Sequence, residues 1–303
     1  MAVYGSTREL IGNTPLVRLT GMGFPADTKV YAKLELWNPS GSVKDRTGLW
    51  MLRDAENTGR IRSGGTIVEA TAGNTGLGIA FAALNRDYRI IFVVPTKFSQ
   101  EKQTLLRALG AEIINTPREE GMLGAEEKAN ELRQSIPGAI SLEQFRNQAN
   151  PLAHYESTGP EIWRDLNGKL DYFVAGAGSG GTYSGVMRFL KEQDPKIVGV
   201  LADPVGSTMG GGEHGDYDIE GIGNDFIADT MDMSLVDRVV KMNDAEAFEA
   251  ARQLARREGI FAGSSSGAAL AAVKKLIGSG ARGTIVTLFP DRGDRYFSKE
   301  LYV

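Results

Sequence analysis

Short apolar runs alternate along the chain with longer segments whose apolar residues recur at helical spacing. Thr66-Ile67-Val68-Glu69-Ala70 predicts a strand, and residues 74–85 a helix. Residues 89–94 predict a second strand, stopped by Pro95, and residues 99–109 a helix with Ser99 as its N-cap. A strand over 111–114 and a helix over about 122–135 follow. The order then repeats, with strands at 171–175, 196–201 and 283–289 and helices at 183–192, 245–258 and 266–277. Nearly continuous apolar strands separated by helices imply parallel sheets covered on both faces. The expected fold is therefore α/β, with two parallel-sheet α/β domains and a seam near residues 147–151.

Bulk properties narrow the function classes. A chain of 303 residues buries a sizeable core and is expected to hold roughly two domains. The formal net charge of -4 argues against a nucleic-acid binder, which carries a basic face. No apolar run approaches the ~20 residues that span a bilayer, so no membrane partner is expected. The first residues lack a basic region followed by an apolar one, so a cytoplasmic protein is expected. The sequence has no cysteine, which excludes disulfides, thiolate metal sites and a cysteine nucleophile. With only His154 and His214, a multi-histidine metal centre is excluded, while a serine-histidine-acid triad could draw its base only from these two.

The candidate chemistry lies in glycine-rich turns. Lys44 sits in Asn38-Pro39-Ser40-Gly41-Ser42-Val43-Lys44-Asp45-Arg46, ahead of an amphipathic stretch. An ammonium near a helix start is disfavoured, and a desolvated amine is a covalent catalyst. A surface lysine beside a helix turn is the alternative. Thr71-Ala72-Gly73-Asn74-Thr75-Gly76 joins a strand to a helix and offers backbone N–H groups, hydroxyls and an amide for a carboxylate. Its alternative is simple capping by Asn74 or Thr75. Gly176-Ala177-Gly178-Ser179-Gly180-Gly181-Thr182 suits a phosphate. It also satisfies G-x-G-x-x-G, with Asp203 about 20 residues on, so a nicotinamide dinucleotide enzyme is a rival on this motif. Gly263-Ser264-Ser265-Ser266-Gly267 precedes the last helix, where serines also serve as N-caps.

Taken together these runs resemble the cysteine synthase and cystathionine β-synthase family of pyridoxal-phosphate enzymes, of the tryptophan-synthase β fold. The likeness also covers Ile11-Gly12-Asn13-Thr14-Pro15-Leu16-Val17, Gln144-Phe145-Arg146-Asn147 and Thr158-Gly159-Pro160-Glu161-Ile162. The dinucleotide reading leaves Lys44 and the first and third turns unexplained. The resemblance implies two α/β domains of fold type II, with the cofactor in the cleft between them. Residues 1–12 and 35–147 would form a smaller movable domain, and 13–34 with 148–303 the larger one. It implies that Lys44 forms the Schiff base with pyridoxal 5'-phosphate and that Asn74 hydrogen-bonds the ring hydroxyl. Gly178, Ser179, Gly180, Gly181 and Thr182 would form the phosphate cup, and Ser265 would face the pyridine nitrogen. Thr71, Ala72, Gly73, Thr75 and Gln144 would grip the substrate carboxylate, with Met122 and Gly221 also on the substrate side. The implied reaction is β-replacement through an aminoacrylate, in a homodimer.

The family commonly has serine where this chain has Ala72, which removes one hydroxyl donor. Glu220-Gly221-Ile222-Gly223-Asn224-Asp225-Phe226-Ile227 looks more like the cystathionine β-synthase version than the cysteine synthase one. The chain resembles the short bacterial type, which uses O-acetylserine and homocysteine. Serine as first substrate, and sulfide as the thiol, stay open. Glu220 or Asp225 is placed in sequence to pair with the ammonium of homocysteine, the alternative being that both are solvated loop acids, and the glycine-rich loop 206–215 is expected to border the mouth.

Overall fold

The computed structural model describes residues 3–71, 73–96, 100–299, 301 and 302. Among these, the strands fall into two sheets. The larger has the order β1-β2-β9-β6-β7-β8, built from β1 (Leu16–Arg18), β2 (Thr28–Leu34), β6 (Tyr172–Gly176), β7 (Val198–Pro204), β8 (Arg238–Met242) and β9 (Gly283–Phe289). The smaller is β3 (Thr66–Ala70), β4 (Arg89–Pro95) and β5 (Glu112–Thr116), in that order and all parallel. The larger sheet is parallel except at β1, which pairs antiparallel with β2.

The helices are α1 (Lys44–Asn57), α2 (Asn74–Ala82), α3 (Gln100–Ala108), α4 (Gly121–Ser135), α5 (Ala149–Ala153), α6 (Gly159–Asp165), α7 (Gly181–Gln193), α8 (Asp244–Glu258) and α9 (Ser264–Gly278). None of the described helices is long and apolar enough to cross a membrane. The stretch read as a seam at 147–151 runs into α5, which continues through a π-helical turn (His154–Thr158) into α6.

Alternation along the strands puts an apolar layer on each face. In the small sheet, Ile67, Phe92 and Val94 pack with Leu49, Leu52, Leu77 and Ile79 of α1 and α2. Val68, Ile91 and Val93 face the other way, onto Ala125 and Ala129 of α4. In the large sheet, Val174, Val200, Ala202 and Ile285 meet α8 and α9, while Phe173, Leu201 and Val286 meet Tyr183, Val186 and Leu190 of α7.

Three strands do not follow the apolar-run pattern. β1 spans only three residues, and β8 is an edge strand carrying Arg238 and Lys241. β2 carries Lys29 and Lys33, and Lys33 is fully buried. The reason lies in a charge network. Arg46, two residues beyond Lys44, donates from Nε and Nη2 to Glu35 at 2.8 Å and from Nη1 and Nη2 to Glu161 at 2.7 Å. Lys33 Nζ lies 2.6 Å from the same Glu161. Burial alone would raise the Glu35 carboxyl, but the charge and hydrogen bonds of Arg46 outweigh it and hold it at about 2. Two cations and two carboxylates thus balance, tying the start of α1 to β2 and α6. Removing one partner of such a buried set costs about 3–5 kcal/mol.

Candidate active site

Ligands of open α/β sheets bind outside the carboxyl ends of the strands. There a cavity of about 1070 Å³ opens, with Lys44, Asn74, Ser179, Ser265 and Asp291 among its lining residues. Lys44 is the first residue of α1. The approach to it is pinned by Val43 N–H donating to Pro290 C=O at 2.7 Å and by a bridge between Ser42 and Asp291. Burial lowers the pKa of its amine, opposed by the charge of Asp291. Among the described residues Nζ has no hydrogen-bond or ion-pair partner. It is a half-buried, partly desolvated nucleophile facing a large cavity.

The first turn brings Thr71, Gly73, Asn74 and Thr75 to the cavity wall, while Ala72 lies outside the described residues, as does Ser99. Gly73 caps α2 without a side-chain hydrogen bond, so neither Asn74 nor Thr75 is spent on capping. Thr75 Oγ1 donates to Gln144 Oε1 at 2.6 Å, and Gln144 also lines the cavity. Met122 and Gly221 line it as well.

The second turn contributes Gly178 and Ser179 to the lining; Gly180, Gly181 and Thr182 follow at the start of α7 and are not among the lining residues. Gly180 has φ +82, which glycine adopts without strain. A Cβ on Gly181 would meet Asn150 Oδ1 at 2.2 Å. Asn150 Nδ2 in turn donates to Ser179 Oγ at 2.9 Å. Behind it, His154 Nε2 lies 3.1 Å from Thr182 Oγ1 and Nδ1 lies 2.9 Å from Thr158 Oγ1. Burial, helped by the charge of Arg46, pushes His154 down to about 3, so it is neutral and serves as a hydrogen-bonding support.

In the third turn Gly263 is the cap of α9, again without a side-chain cap bond. Ser264 Oγ accepts from Glu220 N–H at 3.0 Å, and Ser265 lines the cavity.

Asp291, Arg295, Tyr296 and Lys102 were not singled out from the sequence. Asp291 stands two residues beyond the end of β9, the position at which ligand-binding groups of such sheets occur. That rule, applied to the last strand, would have found it. Glu220 lines the cavity but is paired with Lys102 at 2.9 Å and with Lys299 at 3.8 Å. Asp225 is paired with the exposed His214 at 2.9 Å and does not line the cavity, so its expected role at the mouth is not supported. The 206–215 loop closes on itself through Gly215 N–H to Gly206 C=O at 3.0 Å and also stays out of the lining. The dinucleotide alternative fails at Asp203, which is buried and paired with Lys241, its Oδ2 accepting from Gly210 N–H at 2.9 Å.

Comparison with known proteins agrees with this geometry. The family described as pyridoxal-phosphate dependent enzyme matches residues 7–291. The chain is 48% identical over 303 residues to the O-acetylserine dependent cystathionine beta-synthase of Bacillus subtilis (strain 168), covering 100% of this chain and 99% of that one. It is 46% identical over 298 residues to a cysteine synthase of Helicobacter pylori (strain J99), covering 97% and 98%. The crystal structure of an O-acetylserine dependent cystathionine beta-synthase from Helicobacter pylori superposes with a TM-score of 0.94 at 44% identity, covering 100% of both chains. That of an O-ureido-L-serine synthase gives a TM-score of 0.94 at 38% identity, covering 99% of this chain and 96% of that one.

Proposed function

Because the chain belongs to the pyridoxal-phosphate dependent enzyme family, we propose that it catalyses β-replacement on O-acetylserine, or serine, with homocysteine as the thiol, giving cystathionine. The observation that carries this reading is Lys44: a partly desolvated amine at the N-terminus of α1, without a hydrogen-bond or ion-pair partner among the described residues, lining a large cavity.

The residues present fit pyridoxal phosphate. A helix N-terminus preceded by Gly178 and Ser179 suits a phosphate, and Lys44 suits its aldehyde. When bound, the cofactor acts as an electron sink for the amino acid it holds. Gly178 through Thr182 would hold the phosphate, Asn74 would hold the ring hydroxyl, and Ser265 would meet the ring nitrogen with a neutral group. Thr71, Gly73, Thr75 and Gln144 bind the substrate carboxylate at the N-terminus of α2. The Lys44 amine, with its lowered pKa, takes the proton from the substrate α-carbon. Residues 1–12 and 35–147 act as the smaller, movable domain, and its closure on 13–34 and 148–303 excludes water. A cytoplasmic homodimer belongs to the same reading.

Homocysteine is favoured by room: a cavity of about 1070 Å³ leaves space for a second amino acid beyond the cofactor. Sulfide is the second reading, since several of the relatives, from Helicobacter pylori and Staphylococcus aureus, are cysteine synthases. The test offers O-acetylserine with both thiols in competition. Cystathionine as the main product supports the proposal; cysteine as the main product replaces it with the second reading.

A further inference from the structure

We infer that Asp291 and Arg295 are positioning residues that fix Asn74 as a hydrogen-bond donor toward the cavity. The inference rests on the cofactor reading above and concerns how one contact to the cofactor ring is set.

An asparagine amide can face a ligand with either its oxygen or its nitrogen, and its surroundings decide which. Here both ends are engaged by groups of fixed polarity. Asn74 Nδ2 donates to Asp291 Oδ2 at 2.7 Å. Asn74 Oδ1 accepts from Arg295 Nη1. A guanidinium can only donate, and an ionised carboxylate can only accept. Turning the amide over would set N–H against N–H and oxygen against oxygen. The amide oxygen is therefore consumed, and the second N–H of Nδ2 is the part of Asn74 left for a ligand.

The clamp is itself held in place. Arg295 Nη2 donates to Ser40 C=O, and Ser40 N–H donates to Asp45 Oδ2 at 2.6 Å. Gly41, with φ +86, leaves room for the guanidinium: a Cβ there would come within 2.8 Å of it. Asp291 Oδ2 also accepts from the Tyr296 hydroxyl, and Lys102 Nζ stands 4.7 Å from the centre of the Tyr296 ring. Asp291 backbone C=O accepts from Gly263 N–H at 3.0 Å, beside the cap of α9. Asp291 is 1% exposed, and its Oδ1 has no hydrogen-bond partner among the described residues. Burial raises its pKa, while the hydrogen bonds of Tyr296 and Asn74 and the charges of Arg295 and Lys102 oppose that.

A donor in this place favours the oxyanion form of a ring hydroxyl over the neutral form. Losing the clamp lets the amide present either end. The experiment loads wild type, Asp291→Ala, Asp291→Asn, Arg295→Met, Asn74→Ala and the Asn74→Ala/Asp291→Ala pair with pyridoxal phosphate. Three quantities are read: the pH midpoint of the bound cofactor's visible band, its dissociation constant, and the thermal midpoint of the cofactor-free protein. Asp291→Ala and Arg295→Met are expected to move the pH midpoint and weaken cofactor binding about tenfold. Asp291→Asn keeps an acceptor oxygen and is expected to recover most of both. In the Asn74→Ala background, Asp291→Ala is expected to add no further spectral shift. A full additional shift there, or an unmoved band in Asp291→Ala and Arg295→Met, overturns the inference. A wild-type protein that takes up no pyridoxal phosphate overturns the cofactor reading and this inference with it.

Discussion

Gly78 of α2 rests on the carbonyl of Lys44 in α1: a Cβ at residue 78 would lie 2.2 Å from that oxygen. Gly48 meets Gly78 in the same crossing, where its own Cβ would come 2.4 Å from the Gly78 carbonyl carbon. Bare backbone on both helices sets how closely they approach, and so the separation of Lys44 from Asn74, the first residues of α1 and α2.

Gly78→Ala should therefore force the two helices apart. Overpacking of this kind costs about 1–3 kcal/mol, more than the roughly 1 kcal/mol that alanine gains over glycine inside a helix. A lowered thermal midpoint and weaker cofactor retention are expected. An equally stable variant with unchanged retention would show that the contact does not set the spacing.

Gln144 and Thr75 form a hydrogen-bonded pair across the cavity wall. Replacing Gln144 with alanine should weaken O-acetylserine binding about tenfold while leaving pyridoxal phosphate affinity nearly unchanged. Titrating the cofactor spectrum with O-acetylserine reads the first quantity directly. Equal amino-acid affinity in variant and wild type would remove Gln144 from the carboxylate site.

His154 should make part of the stability depend on pH. Its folded pKa lies at about 3 against an ordinary 6.5, so the unfolded chain binds a proton that the folded one refuses. Its contribution is complete above pH 6.5 and is lost as pH falls toward about 3, at up to about 1.4 kcal/mol per pH unit. Asp45 acts in the opposite sense. Burial raises its carboxyl from 3.8 to about 6, against the hydrogen bonds from Ser40, so its contribution is complete below 3.8 and lost as pH rises through about 6. The summed profile is consequently shallow where the two overlap, and a variant isolates one term. His154→Gln should be most destabilising above pH 6.5, with the difference from wild type shrinking toward pH 4. Denaturant unfolding across that range checks it, and a constant difference would mean that His154 titrates normally.

Much of this architecture was legible in the chain. β3 and β9 lie where continuous apolar runs place them, because a strand buried on both faces needs such a run. The second helix ends at Ala82 instead of Asn85, which takes the left-handed conformation with φ 59. β2 was illegible because Lys33 interrupts it; the buried lysine is tolerable because its Nζ donates to Thr14 C=O at 2.7 Å and pairs with Glu161, over a hundred residues away. The glycine turns announced themselves by composition. Asp291, Arg295 and Tyr296 did not, because Pro290-Asp291-Arg292-Gly293-Asp294-Arg295-Tyr296 reads as an ordinary polar loop until β9 carries it to Asn74.

The central claim is that Lys44 carries the cofactor in this cavity. The protein is loaded with pyridoxal phosphate, reduced with borohydride, digested, and the modified peptide is located by mass spectrometry, with Lys44→Ala alongside. The account predicts a reduced pyridoxyl group on Lys44 in the wild type, and in Lys44→Ala an intact fold with neither modification nor β-replacement. A modification mapped to a different lysine, or Lys44→Ala turning over O-acetylserine at near wild-type rate, would contradict it.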